Sequence, residues 1–244
     1  MRLNLPFMVK TFFAAVKAIP VTLEITIVAL IIAVPAGFLM ALCVIYRIKV
    51  LKQLSQVFIS FIRGTPIVLQ ILIIYSLLPS MLNAFIKSRG WNINIFDINP
   101  IFYAFIVFAI NNSAQLAELF RSSILAVDKG QHEAALACGL SSVHSYIRII
   151  IPQALVTAIP NFCNLVIILI KNTSLAFMMT VKDITATAKI EASYGYNYIE
   201  AYFDIFVVYI IVCAIVQFLF DRVESGFSAF RFAKERGPSA GFRK

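Results

Sequence analysis

The sequence predicts an all-α membrane protein with about five transmembrane helices. Its 244 residues are 61% hydrophobic and only 14% charged, whereas soluble domains sit near half apolar and a quarter charged. The charges cluster between long apolar runs. Those runs are continuous rather than alternating, so helices, not strands, must satisfy the backbone inside lipid.

The first span, Pro20–Tyr46, is too long for a signal-peptide core and is followed by basic residues, so it is expected to be retained. The second, Phe58–Phe85, contains Pro66 and Pro79, where a tilt or break is expected. The third is Pro100–Ser123, the fourth Thr157–Thr180 and the fifth Tyr202–Phe220. Each holds the roughly 20 residues that cross a hydrocarbon core as a helix.

Lys and Arg set the orientation. Arg47, Lys49 and Lys52 follow the first span, Arg121, Lys129 and Arg148 follow the third, and Arg222, Arg231 and Lys234 begin the basic tail. With five spans these fall on one side, which is then cytoplasmic. Residues 1–18 carry Arg2, Lys10 and Lys17 on the opposite side, and are expected to form an interfacial helix with Phe7, Phe12 and Phe13 toward lipid. The domain organisation expected is therefore an interfacial segment (1–18), a transmembrane domain (19–222) with a cytoplasmic helix at about 128–148, and a cytoplasmic tail (223–244) whose Gly-Pro-Ser-Ala-Gly stretch is unstructured.

The net charge of +9 sits mostly in these loops and tails, and no aromatic-interleaved basic stripe points to nucleic acid. Cys43, Cys138, Cys163 and Cys213 lie far apart without metal-ligand spacing and are expected to be small packing residues. No metal site is expected at His132 and His144, which lack a third ligand. There is no internal repeat, and a bundle this small needs a second copy or a homologue to enclose a pathway.

Between the third and fourth spans, Glu133-Ala134-Ala135 is followed by Gly139, and nine residues later by Ile149-Ile150-Ile151-Pro152. Residues 132–138 are good helix formers and Gly139 suits a helix C-terminus. The alanines let a partner approach the backbone closely, as in helix-in-groove docking. This pattern resembles the hallmark loop of permeases of ATP-binding-cassette importers, with Ile151 where Leu is usual. The resemblance implies the type I importer permease fold. It implies a coupling helix in which Glu133, Ala134, Ala135, Gly139 and Pro152 serve attachment to an ATPase subunit.

Phe61-Ile62-Arg63-Gly64-Thr65-Pro66, Lys129-Gly130-Gln131, Pro152-Gln153-Ala154-Leu155 and Lys171-Asn172-Thr173-Ser174-Leu175 look like the polar amino acid permeases, the histidine/glutamine/arginine/cystine group. Asn172 departs from the Asp of many members. The segment from Lys189-Ile190-Glu191-Ala192 to Tyr202 looks most like the cystine branch, with glutamine, arginine and histidine importers as the alternatives. The resemblance implies a multi-pass subunit of the bacterial cell membrane. Its partners are two ATPase subunits, a second permease copy or homologue, and an extracellular or periplasmic solute-binding protein. ATP and Mg belong to the partner ATPase, and no cofactor is expected on this chain.

Polar side chains in mid-bilayer are costly and face a bundle interior or a water-filled path. Asn111, Gln115 and Glu118 share one face of the third span, with Asn112 beside it, and Lys171 and Ser174 share a face of the fourth. At 1.5 Å per residue Asn111 lies roughly 18 Å from the cytoplasmic end, Lys171 roughly 21 Å and Glu118 only about 7 Å. Asn111, Asn112, Gln115, Lys171 and Ser174 are therefore candidates for the substrate pathway, or else interhelical glue. Glu118 and Arg121, one turn apart, are expected to form a gate or structural pair.

The chain has no phosphate-binding Gly-x-x-x-x-Gly-Lys-Ser/Thr loop and no HExxH or Ser/His/Asp arrangement, so it is not expected to be an enzyme. An ion-coupled carrier or channel is the alternative class, and it requires charged filter rings or paired broken helices that the sequence does not show.

Overall fold

The computed structural model describes residues 3–91 and 94–235, the stretch 227–235 by its backbone alone. Among the described residues the chain is helical with no strand. The stretches Leu5–Ile45, Ile67–Ser88, Ser142–Met179 and Tyr198–Gly226 are each long and apolar enough to cross a membrane.

Helix α1 (Leu5–Lys17) begins where the Asn4 side chain accepts the Phe7 N–H, and α2 (Ile19–Ile45) follows after Ala18. Along α2, Ala29, Ala33, Gly37 and Ala41 recur every fourth residue and are all buried. This face lies on α5 (Ile101–Leu125): a Cβ on Gly37 would sit 2.9 Å from Leu116 Cβ, 3.0 Å from the Ala117 nitrogen and 3.0 Å from the Ser113 carbonyl oxygen. In lipid there is no hydrophobic force between helices, so small residues that bring backbones together supply the attraction.

Helix α5 is the third expected span and the enclosed centre of the bundle, with 14 of its 25 residues buried. Its polar residues keep it outside the four most apolar stretches, yet they are tolerated because neighbouring helices surround it.

The second span departs from its expected start at Phe58. Residues Lys49–Gly64 form a separate amphipathic helix, α3, and α4 occupies Ile67–Ser88. Thr65 is extended (φ −115°, ψ 140°) because Pro66 bars its helical conformation and offers no N–H. Pro79, by contrast, lies inside an unbroken α4. Ile59 and Ile62 of α3 pack on Ala114 and Ala117 of α5.

Between α5 and the next span, α6 (Lys129–Ala137) and α7 (Ser142–Ser145) lead through a π turn, Tyr146–Ile150, into α8 (Ile151–Asn172). The fourth span thus begins before its expected Thr157 and ends as a 3-10 segment, Thr173–Met179, closed by Thr180 at φ 61°. Helices α9 (Ile184–Ser193) and α10 (Tyr198–Glu235) complete the chain. Residues 223–235 continue α10 rather than starting a separate tail, and the stretch from Gly237 to Gly241 lies outside the described residues.

Helix α1 packs on α9 and α10. Phe7 and Phe12 lie against that core, and only Phe13 is exposed as expected. The Lys10 ammonium is 2.8 Å from Glu191, and the Asn4 N–H donates to Glu200. A carboxylate therefore answers one of the positive charges of α1.

Candidate functional site

The segment between α5 and α8 is built by local rules. Asp128 caps α6 by accepting the Gly130 N–H at 2.7 Å. Gly139 ends it at φ 81°, with its N–H on the Leu136 carbonyl and that of Leu140 on the Ala135 carbonyl. This is the paired closure that a left-handed residue allows, and glycine adopts it without a Cβ penalty. Ser141 caps α7 in turn.

His132 and Tyr146 hold the two halves together. His132 Nδ1 lies 2.9 Å from Ser145 Oγ, and its ring is 5.1 Å from that of Tyr146, which also contacts Tyr46 at the end of α2. The histidine expected to do nothing metallic is thus a structural tie. Glu133, Ala134 and Gly139 are exposed, as are Leu136, Val143 and Ile147. Ala135 is buried and forms the inner face instead.

Pro152 lies two residues beyond the π turn and has no N–H for the Arg148 carbonyl. The ladder shifts, and the Ile151 N–H reaches back to Tyr146. π turns inside helices recur at functional positions.

Within the membrane, Asn111 Nδ2 donates to Gln70 Oε1 at 3.0 Å. Gln70 Nε2 faces the carbonyls of Ile62 (2.9 Å) and Thr65 (3.2 Å) and the Thr65 hydroxyl (2.9 Å). Together they serve the open backbone between α3 and α4. Asn112 donates to the Phe108 carbonyl in its own helix. Gln115 is half-buried on the same helix. Glu118 and Arg121 form a bidentate pair, one bond being Nε to Oε2 at 2.9 Å, and the charge of Arg63 also acts on Glu118.

Lys171 and Ser174 open into a groove of about 670 Å³ between α8, α9 and α10. Thr185, Tyr202, Phe206 and Tyr209 line it too. Asn111 and Asn112 are not among its lining residues, so the structure joins Lys171 to Ser174 and leaves the asparagines in the α4–α5 interior. The expected common level is compatible with this, because equal depth does not fix the direction a helix face points.

Sequence reasoning passed over Gln70, Asp183 and Tyr209, and used Lys189 only within the Lys189–Tyr202 resemblance. Asp183 is fully buried; its Oδ1 accepts the Ala186 N–H at 2.8 Å and its Oδ2 accepts the Tyr209 hydroxyl at 3.2 Å. Burial pushes its carboxyl up to about 6, against the pull of those hydrogen bonds. The signal available was an Asp placed just before a helix-forming run, the usual N-cap pattern. Lys189 Nζ lies 4.5 Å from the Phe177 ring centroid and 5.9 Å from that of Tyr202. No sequence spacing signals that arrangement.

Comparison with known proteins agrees with the architecture. Residues 33–228 match the family "Binding-protein-dependent transport system inner membrane component". The "Probable amino-acid permease protein YxeN" of Bacillus subtilis is 38% identical over 90% of this chain and 95% of its own length. The "L-cystine transport system permease protein TcyL" of the same organism is 36% identical over 84% of each. A crystal structure of an amino acid ABC transporter with histidines superposes with TM-score 0.78 and 31% identity, covering 92% of this chain and 99% of that one. An exposed capped segment joined to an all-helical bundle, and a family match across most of the chain, lead to one conclusion: this chain belongs to the binding-protein-dependent transport system inner membrane components, as a non-catalytic, multi-pass permease subunit whose ATPase is a separate partner.

Proposed function

We propose that this chain is the permease subunit of an ATP-driven amino-acid importer, and that its substrate is L-cystine delivered by a solute-binding protein. Two copies, or one copy and a homologue, enclose the path; two ATPase subunits bind the cytoplasmic face and hold the ATP and Mg. The chain resides in the bacterial cell membrane, with α1 at the outer interface. The observation that carries this reading is continuity. From Ser142 to Lys171 the backbone is helical without interruption, through the π turn at Tyr146–Ile150. At 1.5 Å per residue this rod is roughly 44 Å long, with an exposed docking surface at one end and the Lys171 groove at the other.

ATP-driven closure of the ATPase pair pulls α6 through Glu133, Ala134 and the Gly139 turn. The displacement travels along α8 and opens the bundle outward. Hydrolysis resets it. Lys171 and Ser174 contact the substrate, Asn111, Asn112 and Gln115 shape the interior beside it, and the Glu118–Arg121 pair guards the cytoplasmic end. Relatives named for cystine, octopine and arginine transport are similar at 36%, 34% and 29% identity, so the choice of cystine rests on the Lys189–Tyr202 resemblance.

Reconstituted complex with its solute-binding protein tests both levels. ATP-dependent cystine uptake that falls at least about tenfold in Glu133→Ala, while ATPase activity persists, supports the reading. Strict arginine or glutamine uptake rejects cystine. Uptake driven by an ion gradient without ATP rejects the importer.

A further inference from the structure

The groove at Lys171 carries a charge pattern that says which amino acids it accepts. Its lining contains one ammonium, Lys171, and no carboxylate. A second ammonium, Lys189, sits against Tyr202, which lines the same groove. Neither lysine is paired with an acid among the described residues.

None of the acids on the neighbouring elements lines the groove. Glu191 pairs with Lys10, and Glu200 accepts the Asn4 N–H. Asp183 lies behind the wall, with one oxygen on Ala186 and the other covered by the Tyr209 hydroxyl. Asp204 is on α10 but about 200° around its axis from Tyr202, so it points away from the groove, and it is buried there. Glu24 belongs to α2, which contributes no wall.

We infer that this groove selects amino acids carrying two carboxylates and rejects those with net positive charge. This rests on the reading of the groove as the substrate path. Lys171 in the lining takes one carboxylate and Lys189, against Tyr202, draws the second, while Phe206 and Ile210 supply an apolar wall. Cystine and glutamate both satisfy this. Arginine and lysine bring a net positive charge into a groove lined by the Lys171 ammonium and no carboxylate. Glutamine, with one carboxylate, is intermediate.

The test is direct binding of radiolabelled cystine, glutamate, glutamine and arginine to the ATPase–permease complex in nanodiscs, without solute-binding protein, so that selection by that protein does not enter. Cystine and glutamate are expected to bind at least about tenfold tighter than arginine. Lys171→Gln weakens dicarboxylate binding about tenfold, and Lys171→Glu reverses the preference toward arginine. Lys182→Gln removes an exposed cation outside the groove and leaves binding unchanged. Equal binding of arginine and glutamate by the wild type overturns the inference, as does normal dicarboxylate binding in a Lys171→Gln complex with wild-type thermal stability. Absence of any amino-acid binding overturns it too. ATP-dependent uptake by the intact complex with its solute-binding protein is measured in parallel: arginine uptake there, with equal binding, sinks the charge rule and leaves the importer standing, whereas loss of all ATP-dependent uptake sinks the importer.

Discussion

Asn111 and Gln70 are joined side chain to side chain by a 3.0 Å hydrogen bond between the centre of α5 and the start of α4. The bond matters because Gln70 also serves two backbone carbonyls at the break, that of Ile62, whose helical donor position is occupied by Pro66, and that of the extended Thr65. A buried carbonyl without a partner costs about 1–3 kcal/mol. Gln70→Leu is therefore expected to lower the melting temperature of the detergent-solubilised chain by several degrees. Asn111→Ala, which frees only one acceptor, should lower it less. A Gln70→Leu protein that melts with the wild type removes this account of how the break is held.

Gly37 permits a close approach of α2 to α5, and its replacement should be felt at once. Alanine places a methyl within 3.0 Å of backbone atoms of α5 that have no rotamer to escape into. Overpacking of this kind costs about 1–3 kcal/mol. Gly64→Ala is the control, since a Cβ there meets nothing within 4 Å. Comparable melting temperatures for Gly37→Ala and Gly64→Ala would contradict the packing described.

Helix period and composition made the bundle legible, because a membrane span must be long, apolar and helical. The break at Pro66 was visible, since proline acts locally on the residue before it. The start of the second span at Phe58 was misplaced for a related reason: the apolar face of α3 runs into α4 without a change in composition, and only the chain direction separates them. The helix at Lys129–Ala137 was readable down to Gly139, whose φ of 81° follows from its place after a helix. Which polar residues meet was not readable. Asn111 finds Gln70, which is 41 positions away in sequence, and Lys171 turns toward α10. Spacing along one helix fixes a face but not the helix that covers it.

Gly139→Ala is expected to uncouple rather than unfold. Holding alanine in a left-handed conformation costs roughly 1 kcal/mol, small for the bundle but enough to loosen the turn between α6 and α7. The complex should insert and hydrolyse ATP while transporting less per ATP. Gly139→Asn, which tolerates that conformation better, should lie between the two. The ratio of uptake to phosphate release in proteoliposomes measures this, and an unchanged ratio in Gly139→Ala argues against the turn as a link in force transmission.

Asp183 makes the stability of the α9 junction depend on pH. Its carboxyl is raised from 3.8 to about 6 by burial. The native state therefore holds the proton more tightly than the unfolded chain, and stability falls as pH rises through about 6. The penalty at neutral pH is on the order of 3 kcal/mol, a net cost already reduced by the cap to Ala186 and the bond from Tyr209. Below pH 4 the group is protonated in both states and the dependence vanishes. Asp183→Asn keeps an oxygen for the Ala186 N–H without the charge. Wild-type chain should melt higher at pH 5 than at pH 7.5, and the Asn variant should show a flatter profile over that window. Parallel profiles for the two proteins would mean that another group supplies the pH dependence and that Asp183 stays ionised in its buried seat.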